Sequence, residues 1–105
     1  MHIAVVPEEL KPLFPNFLKK MKNDIDKLIR AFHNEDIILV KKIAHNLKGT
    51  AGSYYLENIS KISERIQTEE DIEKINIYCK DLKESSENLK ITFKEGLFWI
   101  TKKVY

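Results

Sequence analysis

The chain has 105 residues, and its 18 lysines and arginines against 16 aspartates and glutamates give a formal net charge of +2. This length predicts one domain over residues 1–105 and excludes a nucleotide-binding catalytic domain beside a second module. The balanced charge argues against a dedicated nucleic-acid binder, and a hydrophobic content of 43% excludes a disordered chain.

Cysteine content and hydropathy predict a cytoplasmic protein. The single cysteine, Cys79, cannot form an internal disulfide, so nothing favours a secreted, disulfide-stabilised domain. No apolar run approaches the roughly 20 residues that span a bilayer, and no signal-peptide pattern opens the chain. We therefore expect no membrane insertion.

The first part of the chain predicts two helices. All three prolines lie between Pro7 and Pro15, and residues 7–14 are expected to form a short lead-in helix with Pro7 in its first turn. A longer helix follows from Pro15 to about Phe32. Its apolar residues are spaced by three and four, as on one helix face: Leu18, Met21, Ile25, Leu28 and Phe32.

The next helix is expected to use Asn34 as its N-cap, because asparagine is favoured at that position. Gly49 and Gly52, followed by Ser53, mark its end. Its apolar seam consists of Ile37, Val40, Ala44, Leu47 and Ala51.

Two further amphipathic helices follow. One runs from residue 56 to about 67, and the other is expected to start at Thr68, which precedes an acidic stretch. The apolar stripe of the first contains Leu56, Ile59, Ile62 and Ile66, and that of the second contains Ile72, Ile75, Cys79, Leu82, Leu89 and Phe93.

Residues 93–105 are expected to add one or two helical turns after Gly96 interrupts the stripe, and to cap the core. The apolar residues of this extension are Phe93, Leu97, Phe98, Trp99 and Ile100. No segment alternates apolar and polar residues convincingly, so no strand is predicted. The sequence therefore predicts an all-α, antiparallel four-helix bundle, with a core over about 5–92, the lead-in helix and the C-terminal helical extension.

His45 is the candidate functional residue. Helical geometry turns it away from the apolar seam of its own helix, whereas His2 lies at the terminus and His33 at a helix end. No spacing of histidines, cysteines or carboxylates matches a zinc-finger or HExxH site, so no metal site is predicted.

The neighbours of His45 favour capture of a phosphoryl group. Imidazole is largely neutral at pH 7 and then has one nitrogen with a free lone pair. Lys48, one turn later, places an ammonium near any negative group on the ring. Gly49 and Gly52 clear the space beside it, although each costs about 1 kcal/mol relative to alanine inside a helix. The alternative is an exposed histidine on a helix whose glycines allow close packing.

Residues 44–53, AHNLKGTAGS, resemble the signature of histidine-containing phosphotransfer (HPt) domains, in which lysine and glycine follow the histidine at +3 and +4. The resemblance covers roughly residues 5–90 and implies a four-helix bundle. By this resemblance His45 would accept the phosphoryl group and Lys48 would stabilise it. Gly49 and Gly52 would let the partner approach.

The resemblance also implies a relay protein without kinase activity of its own. The expected partners are the receiver domain of a hybrid sensor histidine kinase, a response regulator, or both, and the Mg²⁺ needed for transfer would lie in the receiver. Ile38 and Lys41, on the His45 face, are the candidate docking residues. We expect a monomer that binds its partners weakly through a small surface. High lysine and isoleucine content favours a bacterial origin.

Tyr55 departs from the family pattern, because many members have glycine ten residues after the histidine. A bulky residue in a left-handed turn costs about 1–2 kcal/mol, so the helix is expected to end differently here. Lys48 and Gly49, which the chemistry needs, are both present.

Two other functions stay open from sequence. One is the dimerisation and phosphoacceptor domain of a histidine kinase, which typically has an acidic residue directly after the histidine, where this chain has Asn46. The other is a phosphate-independent helical module that binds a signalling partner through the His45 face.

Overall fold

The structure is a computed structural model that describes residues 3–95. Four helices account for most of it: α1 (Phe14–His33), α2 (Ile37–Ser53), α3 (Glu57–Thr68) and α4 (Ile72–Glu87). A strand precedes them and another follows them, β1 (Ile3–Pro7) and β2 (Lys90–Lys94), and a 3-10 helix spans Glu8–Leu13. The prediction of four helices is confirmed, and the prediction that the chain contains no strand is wrong.

The apolar seams predicted for the helices form the core. In α2 the seam residues from Val40 to Ala51 are buried, while Ile37 is half-buried. All four apolar residues predicted for the third helix are buried, although Leu56 lies just before α3 as its N-cap. The exception is Ile72, which is 50% exposed at the start of α4. Spacing by three and four therefore identified the buried faces correctly.

The predicted N-cap Asn34 and the helix start predicted at Thr68 were both wrong. Asn34 ends α1, and Asp36 caps α2 by accepting a hydrogen bond from the Leu39 N–H at 3.1 Å. Thr68 is the last residue of α3, and Asp71 caps α4 by accepting from the Glu73 N–H at 2.9 Å. In each case the aspartate directly before the first helical residue supplies the oxygen that accepts the hydrogen bond. Its negative charge also interacts favourably with the positive end of the helix dipole.

The two strands pair in parallel, with Ile3 opposite Lys90 and Pro7 opposite Lys94. In β2 the half-buried Ile91 and Phe93 alternate with exposed neighbours, which is the pattern of a strand with one covered face. Phe93 also continued the helical stripe of α4, and this ambiguity concealed the strand.

The expected helical extension over 93–105 is wrong at its start, because residues 93–94 belong to β2. The expected core contact of Phe93 is present, since its ring packs edge to face on Phe14 with the centroids 5.1 Å apart. The rest of the predicted extension, residues 96–105, lies outside the described part of the chain.

The lead-in helix expected over residues 7–14 is not formed as one element. Pro7 ends β1, the 3-10 helix covers Glu8–Leu13, and Phe14 already belongs to α1. Pro12 explains the difference, because proline has no N–H to donate and disrupts the hydrogen-bond ladder of an α-helix.

Candidate functional site

His45 lies on the exposed side of α2, between the buried residues Ala44 and Leu47. Its ring reaches toward the end of α3, where the side-chain amide of Gln67 lies 2.8 Å from Nδ1. The expectation that His45 points away from the core is confirmed. One ring nitrogen is therefore occupied by a neighbouring helix, and the other, Nε2, has no partner within residues 3–95.

The orientation of the Gln67 amide determines which tautomer of His45 is present. The structure places the amide nitrogen of Gln67 toward Nδ1, and in this orientation Gln67 donates and the proton of the neutral ring is on Nε2. Rotation of the amide by half a turn puts Oε1 in the same place, where it accepts from Nδ1–H and leaves the lone pair on Nε2. The second arrangement is the one that makes the exposed nitrogen nucleophilic.

Sequence reasoning did not find Gln67, although the chain contains a signal for it. Because a short turn joins α2 to α3, residues equally distant from the turn meet across an antiparallel pair. His45 and Gln67 each lie eleven residues from Leu56. Lys48 and Glu64 each lie eight residues from it, and they also meet. Counting outward from the turn would have placed Gln67 opposite His45.

Lys48 lies one turn after His45, and its Nζ is 3.5 Å from Glu64 Oε1. Both side chains are about half exposed, at 43% and 53%, and an exposed ion pair of this kind contributes little to stability. The backbone of Lys48 is fixed more firmly, because Ser60 Oγ donates to its carbonyl at 2.8 Å. The ammonium therefore belongs to a residue one turn after His45 and is held only weakly by Glu64.

The glycines of α2 are not explained by close helix packing. A Cβ built on Gly49 would meet no described atom within 4 Å, and one on Gly52 would make an ordinary contact of 3.4 Å with Ser60 Oγ. Both glycines are exposed. The surface of α2 at Gly49, one turn after His45, is therefore open, which disfavours the alternative that the glycines serve packing.

The two candidate docking residues have different surroundings. Ile38 is 85% exposed, the highest value among the exposed large hydrophobic residues within residues 3–95. Lys41 is half-buried, and its ammonium donates to the backbone carbonyls of Gln67 and Glu69. Only Ile38 therefore presents its side chain freely on the His45 face.

Tyr55 adopts the left-handed conformation that glycine favours, with φ of 66°. The N–H of Tyr55 donates to the Gly52 carbonyl at 3.1 Å, and the N–H of Leu56 donates to the Ala51 carbonyl at 2.9 Å. This pair of bonds is the Schellman ending of a helix, so α2 ends as it would with glycine, and the expectation of a different ending is wrong. Glu35, with φ of 60°, makes the same turn after α1.

Other chemistry has little support in the described residues. Burial raises the pKa of the Cys79 thiol to about 11, so it is not a nucleophile near neutral pH. No group of three or more histidines, cysteines and carboxylates within residues 3–95 is arranged to hold a metal. No helix in that range is long and apolar enough to cross a bilayer. An open groove between β1, α3 and α4 has none of the residues around His45 in its lining.

One comparison with known proteins, with models of protein families, identifies the family of this chain. Searches of curated proteins and of solved structures gave no significant match. The family model described as "Hpt domain" matches residues 13–90, about three quarters of the 105 residues and all four helices. Hpt domains are phosphotransfer modules of phosphorelays, they have no kinase activity of their own, and they interact with receiver domains. The chain belongs to the Hpt domain family.

Proposed function

We propose that this protein is a phosphorelay intermediate that accepts a phosphoryl group on His45 and passes it to a second receiver. The observation that carries the proposal is the arrangement of the imidazole: the Gln67 amide lies 2.8 Å from Nδ1, and Nε2 has no hydrogen-bond partner within residues 3–95. A surface nucleophile without a pocket suits a reaction in which a partner protein supplies the rest of the site.

The transfer step follows from the tautomer with Nδ1 protonated. The Nε2 lone pair attacks the phosphorus of a receiver's aspartyl phosphate, the N–P bond forms, and the P–O bond to the aspartate breaks. The aspartate leaves as a carboxylate. The Nδ1 proton stays on the imidazole, so the ring itself carries a positive charge while the phosphoryl oxygens carry negative charge. With its amide rotated by half a turn, Gln67 Oε1 accepts a hydrogen bond from Nδ1–H, which stabilises the developing charge. The reverse step on a second receiver completes the relay.

Lys48 is the residue proposed to stabilise the phosphoryl group. Its ammonium can turn from Glu64, 3.5 Å away, to the phosphoryl oxygens, which carry more charge than one carboxylate. The Mg²⁺ that receiver chemistry requires would be supplied by the partner, as the family resemblance implies.

The partners proposed are the receiver domain of a hybrid sensor histidine kinase, a response regulator, or both, meeting a monomer in the cytoplasm. Docking would use the surface around His45, with the exposed Ile38 as its apolar contact. We take residues 1–105 as one domain whose four helices form the antiparallel bundle of the family.

The test is phosphotransfer from receiver domains charged with a labelled small phosphodonor. Wild type should acquire acid-labile, alkali-stable label, and His45→Gln should acquire none while its helicity stays unchanged. His33→Gln, which changes an exposed histidine at the end of α1, is the matched control and should be labelled like wild type.

Two results would contradict the proposal. Receiver binding that survives His45→Ala, without any label on wild type, would identify a phosphate-independent interaction module. Label that persists in His45→Gln would place the acceptor at another residue.

A further inference from the structure

Lys41 lies on α2 one turn before His45 and is tied to α3 rather than free on the surface. Its Nζ is 3.0 Å from the Gln67 carbonyl oxygen and also donates to the carbonyl of Glu69. The side chain is half-buried, whereas its neighbour Lys42 is exposed. The two lysines thus carry the same charge in consecutive positions with different surroundings.

The two carbonyls that Lys41 binds are at the C-terminal end of α3, where helix carbonyls have no intrahelical partner. An ammonium at this end is favoured twice, because it donates charge-assisted hydrogen bonds and faces the negative end of the helix dipole. Lys41 therefore fixes the last turn of α3 and the first residue after it.

Gln67 connects Lys41 to the functional site, because it contacts both Lys41 and His45. Its backbone carbonyl accepts from Lys41, and its side-chain amide lies on Nδ1 of His45. Since Lys41 and His45 are one turn apart on the same helix, Gln67 is held at both its backbone and its side chain by α2. A shift of the α3 end would move the amide away from the imidazole.

We propose that Lys41 is a positioning residue: by binding the end of α3 it holds the Gln67 amide on Nδ1 of His45, where Oε1, once the amide is rotated by half a turn, keeps the lone pair on the exposed Nε2. The effect of Lys41 on phosphoryl transfer rests on the proposed function. Its effect on the tautomer of His45 does not, because the tautomer can be measured on the unphosphorylated protein. The positioning role replaces a docking role for Lys41, because the ammonium is already bound to two carbonyls.

The first experiment measures the His45 tautomer by ¹⁵N NMR of the ring nitrogens at a pH where the imidazole is neutral. Wild type and Lys42→Met should show the proton mainly on Nδ1. Lys41→Met, which keeps the aliphatic stem, should shift the population toward the Nε2–H tautomer, as Gln67→Ala should. Lys41→Arg, which can still donate to both carbonyls, should resemble wild type and is the second variant if Lys41→Met does not fold. An unchanged tautomer in a folded Lys41→Met would overturn the inference.

The second experiment measures the transfer rate and the receiver Kd of the same variants. Lys41→Met should transfer roughly fivefold more slowly with an unchanged Kd, the scale of one lost neutral hydrogen bond. The double variant Lys41→Met, Gln67→Ala should be no slower than Gln67→Ala alone, because both changes remove the same interaction. Additive losses, or a weakened Kd, would overturn the inference in favour of direct electrostatics or docking. If wild type accepts no phosphoryl group the proposed function fails, and the tautomer measurement still tests the role of Lys41.

Discussion

The seam between α1 and α4 and the seam between α2 and α3 both contain lysines, and they differ in what the lysines bind. At the first seam Lys83 Nζ lies 2.8 Å from Asp26 Oδ1, so the two side chains neutralise each other. At the second seam Lys41 binds backbone carbonyls, and Lys48 meets Glu64 at the longer distance of 3.5 Å. The short Lys83–Asp26 pair leaves neither charge available for a ligand. At the α2–α3 seam, the Lys48 ammonium, which is only loosely paired, and Nε2 of His45 stay available.

Because Lys48 is only loosely paired at the α2–α3 seam, we expect Lys48→Met to have a large effect on phosphoryl transfer. Loss of a charge-assisted hydrogen bond to the phosphoryl group should slow transfer from a receiver about ten- to a hundredfold. Thermal unfolding should change little, because the exposed pair with Glu64 contributes little to stability. Lys80→Met, which removes an exposed lysine of α4, is the control, and equal slowing by both changes would show that only the overall charge matters.

Gly49→Ala should separate stability from function. No described atom lies within 4 Å of the added Cβ, so the change should stabilise the helix by about 1 kcal/mol. Transfer should fall about tenfold, because a methyl group beside the ring displaces the partner's reacting atoms. The measurements are the free energy of unfolding and the transfer rate.

Gly52→Ala is the matched control for that change. It gains the same helix propensity and adds an ordinary contact with Ser60 Oγ, so it should be stabilised with a smaller loss of transfer. Wild-type transfer in Gly49→Ala would contradict the view that this glycine serves the approach of a partner.

At the other seam, Asp26→Asn should leave transfer unchanged. The hydrogen bond to Asp26, followed by the charges of Asp26 and Glu87, raises the pKa of Lys83 above the ordinary lysine value. The stability from this pair is therefore fully present below the ordinary lysine pKa and is lost as the pH rises through the raised value. Urea unfolding of wild type and variant should differ slightly at neutral pH and converge as the pH rises through the raised pKa of Lys83. A difference that grows with pH would contradict this assignment.

Four helices could be predicted from the sequence because their apolar residues repeat over several turns, as from Val40 to Ala51. The strands could not be, since each has five residues, and Phe93 also fits the helical stripe that ends in α4. His45 could be predicted from the pattern of its own helix, whereas Gln67 follows only from counting residues outward from the turn at Leu56 to the next helix. Tyr55 shows that a family glycine can be replaced without changing the backbone turn, so the different helix ending predicted from its identity was wrong.

The central claim is that the exposed Nε2 of His45 carries the phosphoryl group while Gln67 holds Nδ1. The most direct test is ³¹P–¹⁵N correlation NMR of the ¹⁵N-labelled protein after phosphorylation by a charged receiver. The account predicts one phosphorus signal coupled to Nε2 of His45, and none in His45→Gln. Phosphorus coupled to Nδ1, or attached to any other residue, would contradict it.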